Sequence, residues 1–111
     1  MTGWVEVTRA EAIPDGHAAR VEIDGVPVAI FNVGGEFYAL DDTCSHAQAS
    51  LSEGDLDLDA CVIECPLHGS SFDLRTGDAL TLPAVEPVNV HQVEVGDDGV
   101  LRVALARGEA A

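Results

Sequence analysis

At 111 residues, 47% of them apolar and 23% charged, the chain is expected to form one globular domain with a modest core and is too short for two. Twenty acidic residues against five basic ones leave a net charge of −15, which repels phosphate backbones and argues against nucleic acid as a partner. The same charge favours solubility and a basic protein partner met by electrostatic steering.

In chain order, "WVEV" (4–7) alternates and reads as a strand, and "TRAE" (8–11) offers a capping box for one helical turn before Pro14-Asp15-Gly16. "HAARVEI" (17–23), "VPVAIFNV" (26–33) and "EFYAL" (36–40) are joined by Asp24-Gly25 and Gly34-Gly35. Two-residue turns of that kind predict tight hairpins, hence a three-stranded antiparallel meander. From Asp41 to about Pro87 the chain turns loop-rich, with short strand candidates at 61–64 and 71–74. Within it, "EGDLDLD" (53–59) lacks the spacing and closing glutamate of a calcium loop and reads as a solvated acidic loop. "VNVHQVEV" (88–95) and "VLRVALA" (100–106) return to strand composition around Asp97-Asp98-Gly99, and the "GEAA" tail reads as frayed. No helical period is sustained and no repeat is visible. The expectation is an all-β single domain over 1–111, an antiparallel sandwich or barrel framework whose middle segment, about 41–87, does something other than build a core.

No apolar run approaches the ~20 residues of a membrane span, and the opening "MTGWVEVTRAEAIPDG" lacks the basic and apolar regions of a signal peptide. Three cysteines, without disulfide-scaffold spacing, suit a reducing compartment. A cytoplasmic protein, monomeric and away from membranes, is expected.

The middle segment contains Cys44 and His46 as C-x-H and Cys65 and His68 as C-x-x-H, each pair on a loop where a tight turn can bring both side chains to one point. Four such ligands suit zinc or an iron–sulfur cluster. A structural zinc finger pairs Cys with Cys at a knuckle and His with His on a helix, whereas here each loop supplies one of each and no helix is predicted. A binuclear centre, with two thiolates on one iron and two imidazoles on the other, explains the arrangement better.

C-x-H…C-P-x-H-G, followed by a phenylalanine and D-x-R-T-G, resembles the Rieske-type [2Fe–2S] motif, and the likeness extends over nearly the whole chain. It implies the Rieske fold, with a small loop-rich cluster-binding subdomain at about 41–87 and one [2Fe–2S] cluster. Carried over by position, Cys44 and Cys65 would bind the inner iron, and His46 and His68 the outer one, their ring edges near solvent. High-potential relatives carry a further cysteine in each loop, forming a disulfide; Ala49 and Leu67 stand at those positions here. They also bond the cluster sulfurs through a serine and a tyrosine hydroxyl; Ser70 matches the serine, but Phe72 stands in place of the tyrosine. One hydroxyl fewer stabilises the reduced cluster less, so the resemblance implies a potential toward the low end of the roughly −150 to +300 mV Rieske range. Gly69 and Gly77 are expected to serve turn geometry and close approach of backbone amides. Pro83 is expected in a third loop covering the cluster, and Leu67 at an exposed tip where it can dock a partner beside His46 and His68.

Three other residues are read as structural. Cys61 reads as a small buried hydrophobe on the strand face it shares with Ile63 and Cys65. His17 and His91 read as surface or satisfied structural histidines.

No catalytic residues are expected: the chain has room for no catalytic domain, and no nucleophile–base set or mononuclear iron triad is present. The resemblance implies a soluble electron carrier that accepts electrons from a flavin-dependent ferredoxin reductase and passes them to a terminal Rieske non-heme-iron, aromatic-ring-hydroxylating oxygenase. Two alternatives are an accessory redox protein of iron–sulfur cluster assembly and a small subunit of another oxidoreductase such as nitrite reductase. The second is disfavoured because such subunits often lack the four ligands.

Overall fold

Residues 4–44, 49–67, 69–82 and 86–105 are described in a computed structural model of the chain. The meander forms where the turn pairs place it: β1 (Trp4–Arg9) is followed by β2 (Ala18–Ile23), β3 (Val26–Val33) and β4 (Glu36–Asp41), and β2 and β4 flank β3 antiparallel. Both residues of each connecting turn have positive φ, 52° and 82° at Asp24-Gly25 and 63° and 94° at Gly34-Gly35. That is the requirement of a type I′ hairpin, whose twist matches that of the strands it joins. The C-terminal strands, here β8 (Val90–Val95) and β9 (Val100–Ala104), complete a six-stranded sheet in the order β1-β9-β8-β4-β3-β2. The sheet is barrel-like and nearly closed. Its two halves meet at β4 and β8 through only two residue pairs, Ala39 opposite His91 and Leu40 opposite Val90.

A second sheet, β5 (Asp55–Asp57), β6 (Val62–Glu64) and β7 (Ser71–Asp73), occupies the segment expected to be loop-rich. β6 and β7 match the two short candidates, but β5 overturns the expectation that "EGDLDLD" is entirely loop. Asp55 and Asp57 are exposed, while Leu56 packs against the core and pairs with Ile63. A single inward leucine thus converts an acidic stretch into an edge strand.

The expected capping box does not form. The helical turn is present as a 3₁₀ turn at Ala10–Ala12, but Arg9 precedes it in extended conformation, with no side-chain cap. Thr8 belongs to β1, where the ladder to β9 pairs it with Leu101 after a bulge that follows Glu6. Sheet pairing takes the residue that local sequence offers as a cap.

The pattern of β3 explains how the two sheets share the molecule. Its apolar run leaves no polar face, so successive residues enter different cores. Val28 and Ile30 point with Ile13, Ile23, Ala39, Leu101 and Val103 into one. Ala29 and Phe31 point with Leu40, Leu51, Ile63, Phe72 and Leu74 into the other. The second of these cores contains all three cysteines.

Candidate metal centre

Two hairpin-like loops deliver the first and third of the predicted ligands. In the first, Thr43 and Ser50 form an isolated antiparallel bridge, and the Cys44 N–H donates to the Ala49 carbonyl at 3.0 Å. In the second, between β6 and β7, the Cys65 N–H donates to the Ser70 carbonyl at 2.6 Å and the Gly69 N–H to the Cys65 carbonyl at 3.1 Å. Gly69 has φ +77°, the left-handed conformation that lets the chain turn back within the loop. Cys44 and Cys65 are 4% and 1% exposed and lie in one apolar cluster with Phe31, Leu51, Ile63 and Phe72.

Cysteine sulfur is the soft ligand that iron–sulfur clusters take, and the apolar residues around it control solvent access to such a site. Two buried thiols brought from separate loops to one dry cluster therefore fit the sulfur half of a Cys₂His₂ donor set for an iron–sulfur centre. The predicted ligands His46 and His68, and Pro83 in the expected third loop, lie outside the described residues.

Around the second loop, Ser70 and Phe72 are fully buried, Phe72 in β7 opposite Ile63. Leu67, by contrast, is 56% exposed. The segment just before residue 83 is stitched to this hairpin. The Leu80 N–H donates to the Ser71 carbonyl at 2.7 Å, and the Ser71 N–H donates to Thr81 Oγ1 at 2.8 Å. Leu80 and Leu82 are exposed close by in sequence. Gly77, at φ +79°, donates to the Asp73 carbonyl and accepts from the Val88 N–H, and a Cβ there would collide with the Val88 carbonyl oxygen. Its role in turn geometry is therefore steric as well as conformational.

Cys61 is buried in the cluster core, as expected, but not on a strand face: it sits in the turn before β6 with φ 59°. It lies against Tyr38, whose pKa is raised to about 12 by its hydrogen bond to Glu36, by burial and by the Cys61 thiol. His17 is exposed, whereas His91 is buried, with Nε2 2.8 Å from Asp41 Oδ1.

Sequence reasoning passed over Asp42. This buried residue accepts from Arg20 Nε at 3.1 Å, Ser50 Oγ at 2.5 Å and the Ser52 N–H at 2.9 Å. The available signal was a carboxylate immediately before the first ligand loop and a Ser-x-Ser immediately after it.

The family model of the Rieske [2Fe-2S] domain matches residues 3–94. The 3-phenylpropionate/cinnamic acid dioxygenase ferredoxin subunit of Escherichia coli (strain K12) is 55% identical over 83 residues, 75% of this chain and 76% of that protein. Among solved structures, the ferredoxin of carbazole 1,9a-dioxygenase from Nocardioides aromaticivorans superposes with a TM-score of 0.88 at 35% identity, covering 92% of this chain and 97% of its own. A chain in the complex of reduced oxygenase and oxidized ferredoxin in carbazole 1,9a-dioxygenase superposes with a TM-score of 0.84 at 44% identity, covering 94% of each. Among the described residues no helix is long and apolar enough to cross a membrane.

Proposed function

Because this chain belongs to the Rieske [2Fe-2S] family, we propose that Cys44 and Cys65 hold one iron of its cluster and His46 and His68 the other, in a single domain whose cluster-binding part spans about 41–87. The protein is a one-electron carrier, cytoplasmic and monomeric, that takes electrons from a flavin-dependent ferredoxin reductase and delivers them to a terminal Rieske oxygenase. When bound, the cluster supplies a reversible one-electron couple.

The chain's own residues divide the remaining work. Phe31, Leu51, Ile63 and Phe72 surround Cys44 and Cys65 with apolar side chains and would keep water from the sulfur side of a bound cluster. Leu67, 56% exposed and next to His68 in the sequence, offers an apolar contact to a partner. The net charge of −15 speeds encounter with a basic docking face and makes the rate fall with salt.

The observation that carries this reading is the contrast within one loop, Cys65 buried and dry at its base and Leu67 exposed at its tip. Electron paramagnetic resonance of the dithionite-reduced protein tests it. A low average g, the consequence of histidine ligation, is expected; a silent sample with one bound zinc overturns the assignment. Stopped-flow oxidation of the reduced protein by a purified terminal oxygenase then tests the delivery step, and no transfer at low salt would remove the oxygenase as client.

A further inference from the structure

Asp42 is 2% exposed, and a carboxylate so buried persists only where it is paired and hydrogen-bonded. Both of its oxygens are used. Oδ2 accepts from the Arg20 guanidinium of β2 and from the Ser50 hydroxyl, and Oδ1 accepts from the Ser52 N–H. Ser50 Oγ also lies 2.8 Å from Ser52 Oγ, so the two hydroxyls brace each other. The backbone of Asp42 adds two ties, its N–H donating to the Pro27 carbonyl at 3.0 Å and its carbonyl accepting from the Leu51 N–H at 2.6 Å.

The side-chain contacts of Asp42 join three separate pieces of chain, and its backbone N–H adds a fourth at Pro27. Asp42 lies just before the loop that carries Cys44, Ser50 and Ser52 lie just after it, and Arg20 sits on the edge strand of the barrel. A loop held at its neck in this way loses the freedom to splay its ends. Leu51, tied to Asp42, is fully buried in the same cluster as Cys44 and Cys65.

We infer that Asp42 is a positioning residue for the cluster: its carboxylate latches the two ends of the Cys44 loop to each other and, through Arg20, to the barrel. The inference rests on Cys44 being a cluster ligand. An amide at this position keeps one acceptor oxygen and loses the charge that Arg20 balances, so it leaves the latch half closed. The latch also places a balanced pair of opposite charges beside the cluster loop. Removing the carboxylate leaves a positive charge that favours the reduced cluster, and removing the guanidinium leaves a negative one that disfavours it.

The test uses the holoprotein with Asp42→Asn, Ser50→Ala and Arg20→Met, and with Val103→Ala as a control that opens a cavity in the other core. Release of iron to a ferrous chelator, the midpoint potential and the thermal midpoint are measured for each. Asp42→Asn and Ser50→Ala are expected to lose the cluster about tenfold faster than wild type, the factor that corresponds to losing a charge-assisted hydrogen bond. They should do so at thermal midpoints where Val103→Ala retains it. The potentials of Asp42→Asn and Arg20→Met are expected to move in opposite directions, up and down respectively. Release rates that follow the thermal midpoint on one line with Val103→Ala, or potentials that shift in the same direction, would overturn the inference. If Asp42→Asn does not accumulate with its cluster, Ser50→Ala and Arg20→Met, each lacking one arm of the latch, decide it by release rate. A wild-type protein with no Rieske signal refutes the ligand assignment. A wild-type signal with unresponsive variants refutes only the latch.

Discussion

His91 and Asp41 meet at the seam that closes the large sheet, with Nε2 of the buried imidazole 2.8 Å from Oδ1 of the carboxylate. The other oxygen of Asp41 accepts from Asn89 Nδ2 at 2.9 Å, and the Asp41 N–H donates to the Asn89 carbonyl at 3.0 Å. One carboxylate thus supplements the two residue pairs that join the barrel halves. Burial opposes its ionisation, but the hydrogen bond and charge of His91, together with Asn89, outweigh burial and hold Asp41 below the ordinary 3.8.

A lowered folded-state pKa means that the unfolded chain binds the proton more readily. The stabilisation is therefore complete above the ordinary carboxylate range and is lost as pH falls through the folded value. Asp41→Asn is expected to cost about 1–2 kcal/mol at neutral pH and progressively less, relative to wild type, below about pH 4. Urea unfolding of both proteins across that range checks this; a gap that stays constant with pH would be incompatible with it.

The midpoint potential is expected below about +100 mV, in the lower part of the Rieske range. Ser70 is buried at the base of the second loop, and Phe72, buried beside the same cysteines, has no hydroxyl to offer. Phe72→Tyr is expected to raise the potential by adding a donor, provided the new hydroxyl finds the cluster sulfur as its partner. Protein-film voltammetry of the two forms reads the difference, and a lower potential in the tyrosine variant would contradict the hydrogen-bond argument.

Gly77→Ala is expected to be among the most damaging single-methyl changes in the chain. The added carbon meets the Val88 carbonyl oxygen and must also occupy φ +79°. A loss of at least about 2 kcal/mol follows from the strain alone. Thermal unfolding of the holoprotein checks it, and a variant as stable as wild type would mean that the turn can open without penalty.

Cys61→Ala is expected to leave iron and sulfide content unchanged, because Cys61 packs in the core as a small hydrophobe. Tyr38, at about 12 through Glu36, burial and Cys61, should ionise at lower pH once the thiol is gone. The chain has one tyrosine, so an ultraviolet titration reports on it directly. A halved iron content would instead make Cys61 a ligand.

Much of the framework was legible because its signals are local. Asp24-Gly25 and Gly34-Gly35 specify hairpins through backbone conformation alone, which fixed the meander of β2, β3 and β4. Thr8 and the acidic stretch around Leu56 misled for the opposite reason. What they do is decided by partners far along the chain, Leu101 in one case and Ile63 in the other. C-x-H and C-x-x-H marked Cys44 and Cys65 as candidate ligands because metal-binding chemistry is written in residue type, and their inner placement was implied by the resemblance to the Rieske motif. Asp42 could not be read in this way, because its meaning depends on Arg20, 22 positions earlier, folding back to meet it.

The alternation along β3 sorts substitutions by parity. Positions 28 and 30 face the barrel interior, and positions 29 and 31 face the core that contains the cysteines. Substitutions at the two parities therefore act on different cores, although all four positions are fully buried and each change of volume or polarity has its own cost in stability. Changes of volume at Val28 or Ile30 act on the barrel core, while changes of bulk or polarity at Ala29 or Phe31 alter the medium around Cys44 and Cys65. For a small carrier required to keep its electron until the right acceptor arrives, that partition lets the voltage of the centre drift under selection while the scaffold stays put.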